Sequence, residues 1–325
     1  MRPLPGDLPH GPDVAWIIDL TSIARTFFHA CEPSYAPTGE PTHATIGTLD
    51  LIVRLMILRE PAYMAAAVDR EDRDTFRLEL WPHYKAKRPA RPAEFQVQLD
   101  RLVSLLRLHR IPVYNAPHYE ADDGIATAVR IARGLGLRVV VVSRDLDLAQ
   151  LVADDVWLWN GAVGPSARVH TPAVVEAEFG VKAERLGDLF ALAGDPSDGV
   201  PGVPLVGDKV AAEWLARFGT LDAVLRLGPT WLKAGARQRN LKANVEQVKM
   251  YRELVGLVDR APIGFDAAEF AVGGFDVSAL REAYSALGFA DNPRTAEWLN
   301  VTHFPKAPVP WTAEQVKAVV DGVNP

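Results

Sequence analysis

The sequence predicts an α/β fold built on a parallel sheet, with a helical module after it. Three observations carry this. The apolar runs Val14 to Ile18, Ala62 to Val68 and Leu137 to Val142 show no clear polar alternation, the pattern of strands buried on both faces. Helical periodicity fills the chain between them, which implies crossover helices and therefore parallel strands. Beyond Glu184 the reading shifts to helices separated by turns rich in Gly and Pro.

Each strand ends in acid. The first closes on Asp19, the second on Asp69, and the third runs into Ser143-Arg144-Asp145-Leu146-Asp147. All carboxyl ends of a parallel sheet lie on one edge, and ligands bind there at the switch in strand order. These four acids are therefore expected to converge. Between the first two strands, Ala44, Leu49, Leu51, Ile52, Leu55 and Ile57 follow helical spacing. A further helix is expected from Asp122 to Arg133, and its start is the most acidic stretch of the chain. His118-Tyr119-Glu120-Ala121-Asp122-Asp123 packs three carboxylates into four residues, with no Lys or Arg between His118 and Arg130. A helix N-terminus favours one or two acids, each by roughly 0.3–1 kcal/mol. A third is more than it asks for, and carboxylate oxygens are the ligands of hard divalent ions such as magnesium or manganese. This stretch alone leaves capping and metal binding both open. Together with the strand-end acids, it favours a metal site.

The segment from Arg70 to Gln98 has the opposite sign. It carries Arg73, Arg77, Lys85, Lys87, Arg88 and Arg91, interleaved with Phe76, Trp81, Tyr84 and Phe95. A solvated charged face is the ordinary account of such a run. Here Pro82, Pro89 and Pro92 break any long helix, and cations mixed with aromatic rings suit phosphate contacts and base stacking. A phosphodiester lying between this segment and the acids would need both signs.

Leu186 to Ala193 is expected to be a helix, Gly194 to Gly207 a hairpin too rich in Gly and Pro for either regular structure, and Asp208 to Phe218 a second helix with Lys209 in its first turn. Such a unit presents backbone N–H groups to a phosphate, or serves packing only. Asp195 and Asp198 are either caps or ligands. Leu221 to Val258 reads as helical with a basic middle at Lys233, Arg237, Arg239 and Lys242, and Phe265 to Val277 as loop-like or extended. Ala279 to Leu287 and Ala313 to Val320 read as short helices, the last within a tail expected to be an appendage.

The expected divisions are 13–183 for the α/β core, with the basic segment at about 70–98, then 184–260 for the helical module and 261–325 for the C-terminal segment. With 325 residues, 48% apolar and 23% charged, the chain has the composition of an ordinary globular protein. Its net charge of -6 argues against nonspecific adhesion to nucleic acid or membrane but not against a local basic patch. The single cysteine, Cys31, allows no internal disulfide and no thiolate metal site, which suits a reducing compartment such as the cytoplasm. No run approaches the ~20 apolar residues of a membrane span.

Taken together these residues resemble the 5′ nuclease family, which includes the N-terminal domain of bacterial DNA polymerase I, phage 5′ exonucleases and flap endonucleases. The resemblance runs from about Trp16 to Asp259. It rests on Ile17-Ile18-Asp19 with Arg25, Val68-Asp69, Phe76-Arg77 with Tyr84-Lys85, Tyr119 to Asp123, Ser143 to Asp147, and Gly194-Asp195-Pro196-Ser197-Asp198 leading to Pro201-Gly202. It implies a PIN-like nuclease core with a helical arch and a helix-hairpin-helix variant (H3TH). Asp19, Asp69, Glu120 and Asp122 would surround one metal ion, and Asp145, Asp147, Asp195 and Asp198 a second, with Asp123 close by. Arg77 and Lys85 would contact the scissile phosphate. Arg25, Tyr84, Lys87, Arg88, Gly202, Val203, Gly207 and Lys209 would contact DNA. The implied cofactors are two or more magnesium or manganese ions, with potassium at the hairpin. The implied substrates are DNA with a 5′ flap, 5′ end or nick, and RNA–DNA hybrids, cleaved by a monomer in replication and repair.

Leu20 departs from the family's Gly after the first Asp, His118 from a Gly before the Tyr, and Gly199 from a frequent Asn; none removes a carboxylate or the basic pair. With no polymerase segment following, the expectation is a free-standing nuclease of bacterial type. Two rivals are a catalytically idle DNA-binding scaffold on the same fold, disfavoured by the full set of acids, and an RNA-directed nuclease of the smaller related fold, disfavoured by the hairpin and basic segment. A phosphatase with an aspartyl nucleophile is a third, but its acidic pair should follow the first strand.

Overall fold

The computed structural model describes residues 4–69, 74–289 and 307–322. Within them, β1 (Val14–Asp19), β2 (Tyr63–Ala67), β3 (Val113–Tyr114), β4 (Arg138–Val142), β5 (Val156–Trp159) and β6 (Val169–His170) form one sheet in the order β3-β2-β1-β4-β5-β6. The first five strands are parallel, with Ile17 of β1 opposite Ala65 of β2 and Val141 of β4. β6 is antiparallel to β5, a departure from the purely parallel expectation. Sequence reading missed β3 and β6 because two residues carry no periodicity, and β5 because its four residues stand at the lower limit of a readable run.

Every residue of β1 is buried, and its side chains alternate between two cores. Trp16 and Ile18 face α1 (Leu20–Ala30), α2 (His43–Arg59) and α4 (Ala93–Leu108), which follows the short α3 (Phe76–Leu80). Ala15 and Ile17 face α5 (Ala121–Gly134) and the helical module beyond it. β1 lies between β2 and β4, so the chain reverses its order of addition at the carboxyl end of β1. That is the switch point at which a ligand is expected.

α6 (Pro172–Phe179) leads into the helical module, which contains α7 (Leu186–Ala193) and α8 (Asp208–Phe218), at the expected bounds. The expected helix 221–258 is three: α9 (Leu221–Trp231), α10 (Ala236–Ala243) and α11 (Val245–Val255). Pro229 lies in the last turn of α9 and Gly235 precedes α10, which explains the first break. The stretch expected as loop-like or extended contains the one-turn α12 (Ala267–Phe270), ahead of α13 (Val277–Ala286).

The hairpin between α7 and α8 depends on close backbone packing. A Cβ at Gly202, whose φ is +65°, would stand 2.3 Å from Gly194 N and 2.6 Å from Ala193 O. Of the tail expectation, 305–306 and 323–325 lie outside the described residues. The described part docks on the core: Trp311 Nε1 donates to Leu135 O at 2.9 Å, and Arg130 Nη1 donates to Val319 O of α14 (Ala313–Asp321) at 2.7 Å. Among the described residues no helix is long and apolar enough to cross a membrane.

Gly202→Ala should lower unfolding free energy by at least about 2 kcal/mol, because the added methyl meets backbone that cannot move aside. Urea denaturation of both proteins measures it.

Candidate active site

The strand-end acids and the α5 start meet as topology requires. A cleft of ≈ 520 Å³ is lined by Asp19, Asp69, Glu120, Asp122 and Asp145, with Arg25, Lys85, Arg88 and Arg144 on its cationic side. Asp19 caps α1: its Oδ1 accepts from Ser22 N at 3.0 Å and its Oδ2 from Ser143 Oγ at 2.6 Å. Asp69 is held between Thr21 Oγ1, which accepts from its N–H, and Ala121 N, which donates to its Oδ1. The carboxylates of Asp147, Asp195 and Asp198 form a second group, with oxygens within 4.8 Å of one another. Asp195 Oδ1 accepts from Ser197 N and Asp198 N, the turn that points Asp198 back at the core.

Acids this dense perturb one another. Burial, with Asp69 nearby, pushes Asp19 up to about 7. Burial and repulsion from Asp145, Asp195 and Asp198 push Asp147 up to about 8. Asp122 is raised well above the usual range by burial and by Asp145 and Asp19, and Asp145 is raised chiefly by burial. Glu120 goes the other way: burial raises it, but Lys85 and Arg77 more than offset that.

Lys85 stands between the two groups. Its Nζ is 2.7 Å from Glu120 Oε1 and 3.5 Å from Asp198 Oδ2, and Arg88 Nη2 is 2.6 Å from Asp198 Oδ1. The turn that carries it is pinned, with Lys85 N donating to Asp198 O at 2.8 Å and Lys85 at φ +50°. Arg25 and Lys87 are exposed, while Arg70 and Arg73 lie outside the described residues. Beyond this turn a second cavity of ≈ 970 Å³, lined by Phe28, Phe95, Tyr119 and Arg91, shares Arg25, Lys85, Arg88 and Glu120 with the cleft.

Five further expected site residues are buried. Arg77 is 2% exposed and pairs with Asp123 through Nη1 and Nη2, at 2.6 and 2.8 Å, while Nε and Nη2 also donate to Leu254 O and Gly256 O. Asp123 is fully buried and also accepts from Glu120 N and Val258 N. Both carboxylate oxygens are thus committed, and neither residue faces the cleft. Tyr84, 3% exposed, has its hydroxyl 2.7 Å from Glu120 Oε2 and 2.8 Å from Asp198 Oδ2, joining the two acidic groups. Gly202 and Val203 are buried, and the outward face of the hairpin is Pro204, Leu205, Gly207 and Lys209. Sequence reading missed the orienting residues Thr21 and Ser22, and placed Ser143 in a motif without giving it this role. Their only signal was position, each within four residues of a strand-end Asp.

Residues 14–180 match the 5′-3′ exonuclease N-terminal resolvase-like domain and residues 181–278 the 5′-3′ exonuclease C-terminal SAM fold. The chain belongs to the 5′-3′ exonuclease family. A 5′-3′ exonuclease of Mycobacterium tuberculosis is 36% identical over 265 residues, covering 74% of this chain and 81% of that protein. DNA polymerase I of Mycobacterium bovis is 38% identical over 251 residues; the aligned part spans 27% of the polymerase's length. Among solved structures, the phage T5 D15 protein co-crystallised with metal ions shares the fold with TM-score 0.63 at 20% identity, covering 95% of this chain and 98% of that one. The catalytic core of Rad2 in complex with DNA substrate does so with TM-score 0.58 at 15% identity, covering 90% and 93%.

Arg77→Ala should strand Asp123 and cost about 3–5 kcal/mol of stability, far more than Lys87→Ala, as read by denaturant midpoints. The raised acids set a pH dependence of the metal-free protein. Between the ordinary carboxylate value of 3.8 and about 7 for Asp19 or about 8 for Asp147, the folded chain holds protons that the unfolded chain has released. Its stability should therefore fall as pH rises from about 4 to about 8, measured by thermal melts in chelator.

Proposed function

We propose that the chain is a divalent-metal-dependent 5′ nuclease that hydrolyses DNA phosphodiesters at 5′ flaps, 5′ ends and nicks, in replication and repair. The observation that carries this is the cleft lined by Asp19, Asp69, Glu120, Asp122 and Asp145, joined to the group of Asp147, Asp195 and Asp198 through Lys85, which reaches both Glu120 and Asp198. The donor set fits the metal: all-oxygen ligands suit magnesium or manganese, and carboxylates forced together until their proton affinities rise are what a bound dication relieves. Asp19, Asp69, Glu120 and Asp122 would hold one ion, and Asp145, Asp147, Asp195 and Asp198 a second. Ions so held supply an acidified water and offset the charge of the reacting phosphate.

The protein's own groups do the positioning. Lys85 and Arg88, at the rim of the cleft, offset charge on the phosphoryl oxygens. Arg25, at the mouth shared by the two cavities, steers a single strand between them, past the rings of Phe28 and Tyr119. The hairpin and the uncapped start of α8, with Gly207 and Lys209, grip the duplex backbone. The cleft reads phosphate, not sugar, so a hybrid whose cleaved strand is RNA falls within the proposal. Potassium at the hairpin would fall to carbonyls other than Pro204 O and Leu205 O, which accept from Asn240 Nδ2 and Arg237 Nε.

A 5′-flapped duplex labelled at the flap end should release a long flap fragment with manganese and nothing in chelator. Asp122→Asn and Asp145→Asn should each lower cleavage by at least about a thousandfold while leaving duplex binding measurable. Lys85→Ala should lower the single-turnover rate more than the affinity. Junction binding without product under any metal would replace this reading with that of an idle scaffold.

A further inference from the structure

The hairpin tip holds a residue that its backbone does not favour. Val206 N donates to Val203 O at 3.0 Å, closing a turn with Pro204 and Leu205 at its centre. Pro at the first central position and a φ of +69° at the second are the marks of a type II turn, which calls for Gly or Asn where Leu205 stands. Nothing in the interior accounts for a leucine there. Val203 and Val206 do the inward packing, at 1% and 5% exposed, whereas Leu205 is 67% exposed. The strained backbone is braced from α10, with Arg237 Nε on Leu205 O at 3.0 Å and Asn240 Nδ2 on Pro204 O at 2.8 Å. A side chain kept at a strained backbone position without adding to the folded core points to a contribution in a bound state.

We propose that Leu205 is a sugar-reading contact, packing on deoxyribose faces of the duplex strand that the hairpin grips. This rests on the duplex grip proposed above. Gly207 and Lys209, exposed on the same rim, suit the flanking phosphates, and between phosphates the sugars are the apolar surface a backbone presents. Ribose places a 2′-hydroxyl in the minor groove, and a leucine seated there removes water from it without offering a hydrogen bond. Leu205 thereby makes the hairpin selective for DNA in the gripped strand, independent of base sequence.

The test is equilibrium binding in EDTA to a labelled 5′-flapped duplex, all-DNA or with ribose throughout one strand at a time. The wild-type protein should bind more weakly, by about three- to tenfold, when one of the two strands is ribose. Leu205→Gly and Leu205→Asn, both suited to the turn, should melt no lower than wild type. Each should bind the DNA duplex about three- to tenfold more weakly and lose the strand-specific ribose penalty. Wild-type binding with unchanged affinity in both variants would overturn the contact alone. A wild-type protein that binds no duplex would overturn the grip and the contact together.

Discussion

The buried ion pair of Arg77 with Asp123 holds the site in shape. It joins α3, the start of α5 and the carbonyl end of α11, three elements that come from different parts of the chain. Asp123 also takes the N–H of Glu120 and of Val258, so one carboxylate closes the α5 capping box and ties it to the segment after α11. With Asp123 turned inward, Glu120 and Asp122 are left to face the cleft. A lone buried charge of either sign would be costly, so the pair stands or falls as a unit.

Around that fixed point the fold concentrates repulsion. Asp19, Asp122, Asp145 and Asp147 all bind protons more tightly than ordinary carboxylates, because burial and like charge act in the same direction. Lys85 and Arg88 pair directly with Glu120 and Asp198 and offset the repulsion at Asp122, Asp145 and Asp147 only in part, leaving much of it unrelieved. Such unrelieved charge is a stability cost kept for function, and it leaves the site suited to dications in the cleft and a polyanion across it. Tyr84, with its hydroxyl between Glu120 and Asp198, sets the spacing of the two acidic groups from within the core.

Much of this was legible in the sequence. The three long apolar strands and their terminal acids gave the sheet edge, because β1, β2 and β4 are buried on both faces and show no alternation. α7, α8 and the hairpin between them were plain from Gly and Pro spacing. The departures at His118 and Gly199 also make sense: both take a positive φ, +64° and +74°, which is why glycine or asparagine suits such positions. What composition could not show is direction. Arg77 and Lys85 sit eight residues apart in one basic segment, yet one is sealed inside and the other faces the cleft. Among three neighbouring acids, only packing decides that Asp123 turns away. The hairpin shows the same limit: Gly202 serves a backbone crossing, and the outward tip belongs to Leu205.

The central claim, that two carboxylate groups hold two divalent ions, is tested most directly by calorimetric titration of the chelator-treated protein with manganese. Two ions per chain are expected in the wild type. One should be lost in Asp147→Asn with Asp195→Asn, and the other in Asp19→Asn with Asp122→Asn. Absence of manganese binding, or a stoichiometry unchanged in both double variants, would contradict the account.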